Sequence, residues 1–184
     1  MKITDLDPKN QDLIRQAASL LVKGFKTHWP NAWRTMEEAW EEVQESLQPD
    51  RISRVALNEE GKVLGWIGAI KEYHGHAWEL HPLVVDPDSQ GIGIGRALVN
   101  DLEEQVRRHG GEVIFLGTDD EDGMTSVSNV ELFPDVLGHL AEIRNLKRHP
   151  YEFYQKLGYF IVGVIPDANG PGKPDILMAK RITN

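Results

Sequence analysis

The chain has no cysteine among its 184 residues, so disulfides, thiolate metal sites and covalent catalysis through a thiolate are excluded. Long apolar runs are missing too: none approaches the roughly 20 residues that span a bilayer. The opening segment, with Asp5, Asp7 and Lys9, lacks a signal-like apolar core, and a cytoplasmic protein is expected. Positive charge is in short supply, 20 Lys and Arg against 29 Asp and Glu. A net charge of −9 repels nucleic acid and anionic membrane, and steers cations inward. Repeats and low-complexity linkers are absent, and 184 residues with 40% hydrophobic content suit one domain, residues 1–184. There is no Gly-x-Ser-x-Gly elbow to support a Ser-His-Asp hydrolase.

What is present is an alternation of helix and strand patterns. Leu13, Ala17, Leu20, Leu21 and Gly24 recur at helical spacing, as do Met36, Ala39, Trp40, Val43 and Leu47. On the second helix Glu37, Glu41 and Glu45 form an acidic row with Glu38 and Glu42 beside it. The row reads as a solvated face, with a cation-attracting wall as the alternative. Strands are expected over 52–57 and 63–70, joined by a polar loop through Gly61, and over 76–85. Ile94, Leu98, Leu102 and Val106 stripe a helix that Gly110 and Gly111 end. A buried strand over 113–116, an acidic loop over 118–129, helical segments over 136–146 and 150–157, and strands over 159–165 and 175–180 complete the chain. Hairpins first and a strand-helix-strand crossover later predict an α/β (α+β) fold, with a mixed sheet covered by helices on both faces.

The densest signal runs from Trp78 to Val99, an apolar strand passing through Gly91, Gly93 and Gly95 into a helix. Backbone N–H groups at such a helix start, with the positive end of its dipole behind them, suit a phosphate. Two commoner phosphate loops do not fit: there is no Gly-Lys-Ser/Thr ending, and Arg96 stands where the dinucleotide pattern needs glycine. Glycines so spaced also serve simply to pack a helix on a sheet. Gln90-x-x-Gly93-x-Gly95, however, resembles the pyrophosphate loop of the Gcn5-related N-acetyltransferases (GNAT), which move acetyl from acetyl-CoA to amines.

Four further blocks narrow the resemblance. Trp78-Glu-Leu-His-Pro-Leu-Val-Val85, Leu116-Gly-Thr-Asp-Asp120, His149-Pro-Tyr-Glu-Phe-Tyr-Gln-Lys-Leu-Gly-Tyr159 and Lys173-Pro-Asp175 are together similar to the chromosomal type of aminoglycoside 6'-N-acetyltransferase. The likeness is strong from about Arg51 onward and looser before it, where Trp29-Pro30 is the clearest match. It implies the GNAT fold, a mixed central sheet of about six to seven strands splayed at the fourth. It also implies a homodimer that binds acetyl-CoA and acetylates the 6'-amine of kanamycin-like or tobramycin-like antibiotics. Residues implied to hold acetyl-CoA are Leu83, Val84, Val85, Gln90, Gly91, Ile92, Gly93, Ile94, Gly95, Arg96 and Tyr154.

Acetyl transfer to an amine needs a neutral amine, a polarised thioester carbonyl and a proton for the departing thiolate. The resemblance assigns Glu79 as the base or as the carboxylate orienting the ammonium. His81, two residues on and so on the same strand face, is placed to relay the proton through water. Pro82 has no N–H to donate, so the strand is expected to splay or bulge there. In the family the Leu83 N–H then meets the thioester oxygen and the Val85 N–H the pantetheine amides. Tyr154 is the implied acid for the thiolate. Blander roles stay open: Glu79 as a surface strand residue, His81 bonding backbone, Tyr154 packing in the core. Glu79, Asp119 and Asp120, with Asp122 a further candidate, would bind the cationic substrate. No metal site is expected, because strand alternation sends His74 and His76 to one face and Glu79 and His81 to the other. Two alternatives to the antibiotic acceptor remain: a housekeeping acetyltransferase acting on a polyamine, a lysine side chain or a protein N-terminus, and a non-catalytic acyl-CoA sensor.

Overall fold

Helix α1 (Gln11–Phe25) starts where the Asn10 side chain accepts the Leu13 N–H, with Asp12 in the first turn where negative charge is favoured. Its buried stripe, Ile14, Ala17, Ala18, Leu20 and Leu21, keeps helical spacing. Helix α2 (Met36–Glu45) opens on a complete capping box: Thr35 Oγ1 accepts the Glu38 N–H, and the Glu38 carboxylate accepts the Thr35 N–H. A computed structural model describes these and all residues 1–183.

The described chain comprises two compact units, Met1–Ile114 with the residues from Ile182, and Phe115–Arg181. The first unit holds β1 (Lys2–Asp5), β2 (Arg51–Leu57), β3 (Val63–Glu72) and β4 (Ala77–Val85), paired antiparallel in that order. Most of β5 (Val113–Asp119), with β6 (Phe160–Ile165) and β7 (Asp175–Arg181), belongs to the second, in the order β5-β7-β6. The expected α/β class stands, with a seven-stranded sheet. The sequence pattern does not signal β1, a four-residue strand with Ile3 as its one aliphatic side chain.

In the first unit β3 is buried on both faces. Trp66 packs with α1 and α2 residues in a core that includes Ile14, Leu21, Ala39 and Val43. The neighbouring Gly65 abuts Leu98 and Ile94 of helix α3 (Ile94–Arg108). Successive strand residues face opposite sides, so α1 and α2 cover one face and α3 the other. Arg54 of β2, only 8% exposed, is clamped by Asp101 of α3 (Nε to Oδ2, 2.7 Å; Nη2 to Oδ1, 3.0 Å) and by Asp5.

The β4 irregularity foreseen at Pro82 is present. Ile67 pairs with Leu83 and Ala69 with Leu80, so His81 and Pro82 together oppose the single residue Gly68. A Cβ at Gly68 would lie 2.5 Å from the His81 carbonyl oxygen, too close for any side chain. We therefore expect Gly68→Ala to cost about 2 kcal/mol, read as a lower denaturant midpoint with an unchanged m-value. A variant as stable as the native chain would show that the two strands separate freely here.

The second unit adds helix α4 (Val136–Ala141) and helix α5 (Tyr151–Gln155). Helix α4 is shorter than the periodicity over 136–146 suggests. Residues 144–147 leave it to pair with 124–126, through Ser126 N–H to Arg144 O (3.0 Å) and Leu146 N–H to Met124 O (2.8 Å).

Candidate active site

On β4 the side chains alternate, Trp78, Leu80, Pro82 and Val84 buried against Glu79, His81, Leu83 and Val85 half-exposed. Glu79 and His81 thus share the accessible face. Glu79 makes no hydrogen bond or ion pair among the described residues, which leaves its carboxylate to a ligand. His81 has company that the sequence reading did not anticipate. Its Nε2 lies 3.6 Å from Glu42 Oε1 on α2, and its ring is 5.9 Å from that of Trp33. Trp33 also favours the ionised Glu42 carboxylate.

Glu37, Glu41 and Glu45 are exposed, as a solvated row should be, whereas Glu38 caps the helix and Glu42 turns inward. A signal was present: Glu42 follows Ala39 by three residues and precedes Val43, on the shoulder of the buried stripe. Burial disfavours charge on both partners. Their mutual attraction as an ion pair outweighs it, so the His81 pKa is raised and that of Glu42 lowered. Glu79 adds to the rise on His81, while the Arg51 charge opposes it and favours ionised Glu42.

A raised imidazole pKa gives stability that is full below 6.5 and fades as pH climbs through the folded value. A lowered carboxylate pKa gives stability that is full above 4.5 and fades as pH falls through the folded value. The pair therefore counts most between 4.5 and 6.5. Because the His81 side chain is 40% exposed, solvent screens the pair, and Glu42→Gln should cost about 0.5 kcal/mol near pH 5.5 and less near pH 9. Urea melts at the two pH values check this; an equal loss at both would contradict it.

The glycine turn takes the form an anion site needs. Gly91 (φ 81°) and Gly93 (φ 94°) both adopt the left-handed conformation, and Gly93 is the N-cap of α3 with no side chain capping the first turn. A Cβ at either glycine would meet nothing within 4 Å, so the space before the helix is open. The first N–H groups of a 15-residue helix, Ile94, Gly95 and Arg96, face it without an acidic neighbour in their turn. Gln90 and Ile92 are exposed around the turn, and Gln90 Nε2 bonds the Val85 carbonyl at 3.3 Å. These residues fit the pyrophosphate of a coenzyme A.

Backbone direction on β4 follows from one bond. The Asp86 N–H donates to the Leu64 carbonyl at 2.9 Å, with Val84 opposite Trp66 and Val85 opposite Gly65. N–H groups alternate along an antiparallel strand, so those of Leu83 and Val85 point away from β3. Val84 points its amide at β3 and its side chain into the core, where Val84 Cγ2 lies 2.4 Å from where a Gly24 Cβ would be.

In the second unit, Tyr154 on α5 is 7% exposed, with the Phe153 and Tyr159 rings at 5.0 and 5.7 Å. Burial pushes its hydroxyl pKa up, so it stays protonated. The helix is anchored by His149, 1% exposed. Its Nδ1 accepts the Tyr151 N–H (3.2 Å), which leaves Nε2 to donate to the Asp119 carbonyl (3.1 Å). Asp119 is half-exposed, and its carboxylate accepts from the Asn169 side chain. Asp120 requires a correction. It is fully buried, with Oδ1 accepting the Met124 N–H and Oδ2 the Thr125 N–H and hydroxyl, each at 2.7 Å. Those bonds commit it to folding the acidic loop and leave no face for a substrate. Asp122 is exposed.

The two histidines that precede β4 lie elsewhere: His74 sits in a turn with φ 57°, and His76 is 3.5 Å from Glu112. Among the described residues no group of three or more His, Asp or Glu could hold a metal ion, and no helix is long and apolar enough to cross a membrane.

Residues 14–128 match the model of the acetyltransferase (GNAT) family. No curated protein matches the chain. Among solved structures it is similar to an aminoglycoside 6'-N-acetyltransferase complexed with coenzyme A, at 44% identity and a TM-score of 0.91 over 100% of this chain and 98% of that one. The aminoglycoside 6'-N-acetyltransferase from Enterococcus faecium gives 44% and 0.89 over the same shares, and aminoglycoside 6'-acetyltransferase type Ii gives 38% and 0.74 over 100% and 99%.

Proposed function

The chain belongs to the acetyltransferase (GNAT) family, and from that premise we propose that it acetylates the 6'-amine of aminoglycosides by direct transfer from acetyl-CoA in a ternary complex. The acceptor assignment is carried by the 44% identity, over the whole chain, to two aminoglycoside 6'-N-acetyltransferases. In this proposal residues 1–184 form one catalytic domain that acts in the cytoplasm as a homodimer, with antibiotic resistance as the outcome. The edge strand β6 supports dimerisation, since it exposes Phe160, Val162 and Ile165.

When bound, acetyl-CoA supplies an acetyl thioester for the amine to attack. The uncapped turn from Gln90 to Arg96, through Gly91, Ile92, Gly93, Ile94 and Gly95, holds the pyrophosphate on the α3 dipole. The Val85 N–H, with the strand at Val84 behind it, takes the pantetheine amides. The Leu83 N–H takes the charge that develops on the thioester oxygen. Glu79 accepts a proton from the attacking ammonium or fixes its direction, and His81 relays through water. Tyr154 donates its O–H to the departing sulfur. Its raised pKa makes it a hydrogen-bond donor first, giving up its proton only as another arrives. Glu79 and Asp119 supply negative charge for a polyamine sugar.

The test is coenzyme A release measured in parallel with kanamycin, spermidine and a lysine peptide. We expect kanamycin to lead in kcat/KM by about 100-fold, roughly 3 kcal/mol of selectivity. A polyamine or peptide preferred by orders of magnitude would sink the antibiotic acceptor and leave the acetyltransferase in place.

A further inference from the structure

We propose that Glu42 is a positioning residue of the acceptor site, holding the His81 imidazole through Nε2 so that Nδ1 is left as the proton acceptor. The inference rests on the acetyl-transfer reading. It draws on a contact between two elements distant in sequence, α2 and β4, that no motif of the chain marks.

Glu42 is largely withdrawn from water, its side chain 23% exposed, and a carboxylate so placed needs partners. Its charge partner is His81 Nε2 at 3.6 Å, and Trp33 further favours its ionised form. The Trp33 ring lies beside the imidazole, tilted, with ring centres 5.9 Å apart. The capping box at Thr35 and Glu38 fixes the start of the helix that delivers Glu42. A neutral imidazole carries one N–H, and a carboxylate at Nε2 selects the tautomer that bears it there. The lone pair is then on Nδ1, and the ring is a stronger base for having an anion behind it. The charged groups facing His81 are Glu42 from α2, Glu79 from β4 itself and Arg51 from β2; the two carboxylates favour the imidazolium and the guanidinium opposes it. A purely structural tie between α2 and β4 would hold the strand equally well without governing proton transfer.

The test compares the native protein with Glu42→Gln, Glu42→Asp and, as an exposed neighbour on the same helix, Glu41→Gln. The His81 ring titration is followed by NMR without substrate, and kcat and KM are measured against pH with kanamycin. We expect Glu42→Gln to lower the His81 midpoint, to move the acidic limb of kcat the same way, and to reduce kcat about tenfold with KM for acetyl-CoA unchanged. Glu42→Asp recovers part of each effect, and Glu41→Gln matches the native protein. An unmoved midpoint overturns the proposal, and so does a moved midpoint with an unmoved kcat limb. Should the native protein leave kanamycin untouched, the acceptor reading falls on its own. The kcat limb is then read with whichever amine is accepted, and the ring titration decides as before.

Discussion

Glu79→Gln is expected to lower kcat/KM for acetyl transfer near pH 7 by about 100- to 1,000-fold. The side chain keeps its shape and loses its charge, on a strand where it makes no bond that folding depends on. Stability should therefore stay within about 0.5 kcal/mol of native. The catalytic loss follows from the state of the acceptor. An alkylammonium with a pKa near 10 is about one part in a thousand neutral at pH 7, a deficit of roughly 4 kcal/mol, less for the weaker amines of aminoglycosides. A carboxylate that takes the proton removes part of that deficit, so the defect should be greatest at low pH and shrink as the amine deprotonates in solution. If Glu79 only orients the ammonium, the loss appears mainly in the acceptor KM and varies little with pH. An unchanged kcat/KM at neutral pH would return Glu79 to the surface of the strand.

The second large effect is on folding. Arg54→Ala should destabilise the protein by about 3 kcal/mol, because it strands Asp101 against the sheet without its partner. For a chain of this size that lowers Tm by roughly 6 to 12 °C. Arg54 and Asp101 are 10% and 20% exposed in their side chains, and two parallel hydrogen bonds join them. Asp5, 84% exposed, contacts the same guanidinium under full solvent screening, and Asp5→Ala should cost under about 1 kcal/mol. Thermal melts of the three alanine variants, with the Arg54–Asp101 double variant closing a cycle, measure the difference. Equal losses for Asp5→Ala and Asp101→Ala would show that burial does not set the strength of this clamp.

Periodicity made much of this architecture legible. The α3 stripe survives residue for residue, while α1 keeps Ala17, Leu20 and Leu21 and buries Ile14 and Ala18 in place of Leu13 and Gly24, because each amphipathic helix buries one side. The bulge at Pro82 was legible from a single missing donor, and the glycine turn from its departure from other phosphate loops. What stayed hidden depends on contacts between distant segments. β1 has too few apolar residues to leave a pattern and exists because β2 offers it a partner. Asp120 looks like a ligand in a run of acids, and only folding shows that Met124 and Thr125 occupy both its oxygens. Glu42 sits in an acidic helix whose composition says solvent, while its position against His81 says otherwise. Gly68 gave no sign at all, since what forbids a side chain there is a carbonyl from the next strand.

The Thr35–Glu38 capping box secures α2 from its own first turn, independently of the acidic positions further along. Glu37, Glu41 and Glu45 are thereby free to drift without loosening the helix that carries Glu42. Substitutions at those exposed positions would leave the glycine turn before α3 untouched. The exposed face of α2 can thus change its charge over generations while the helix keeps Glu42 against His81.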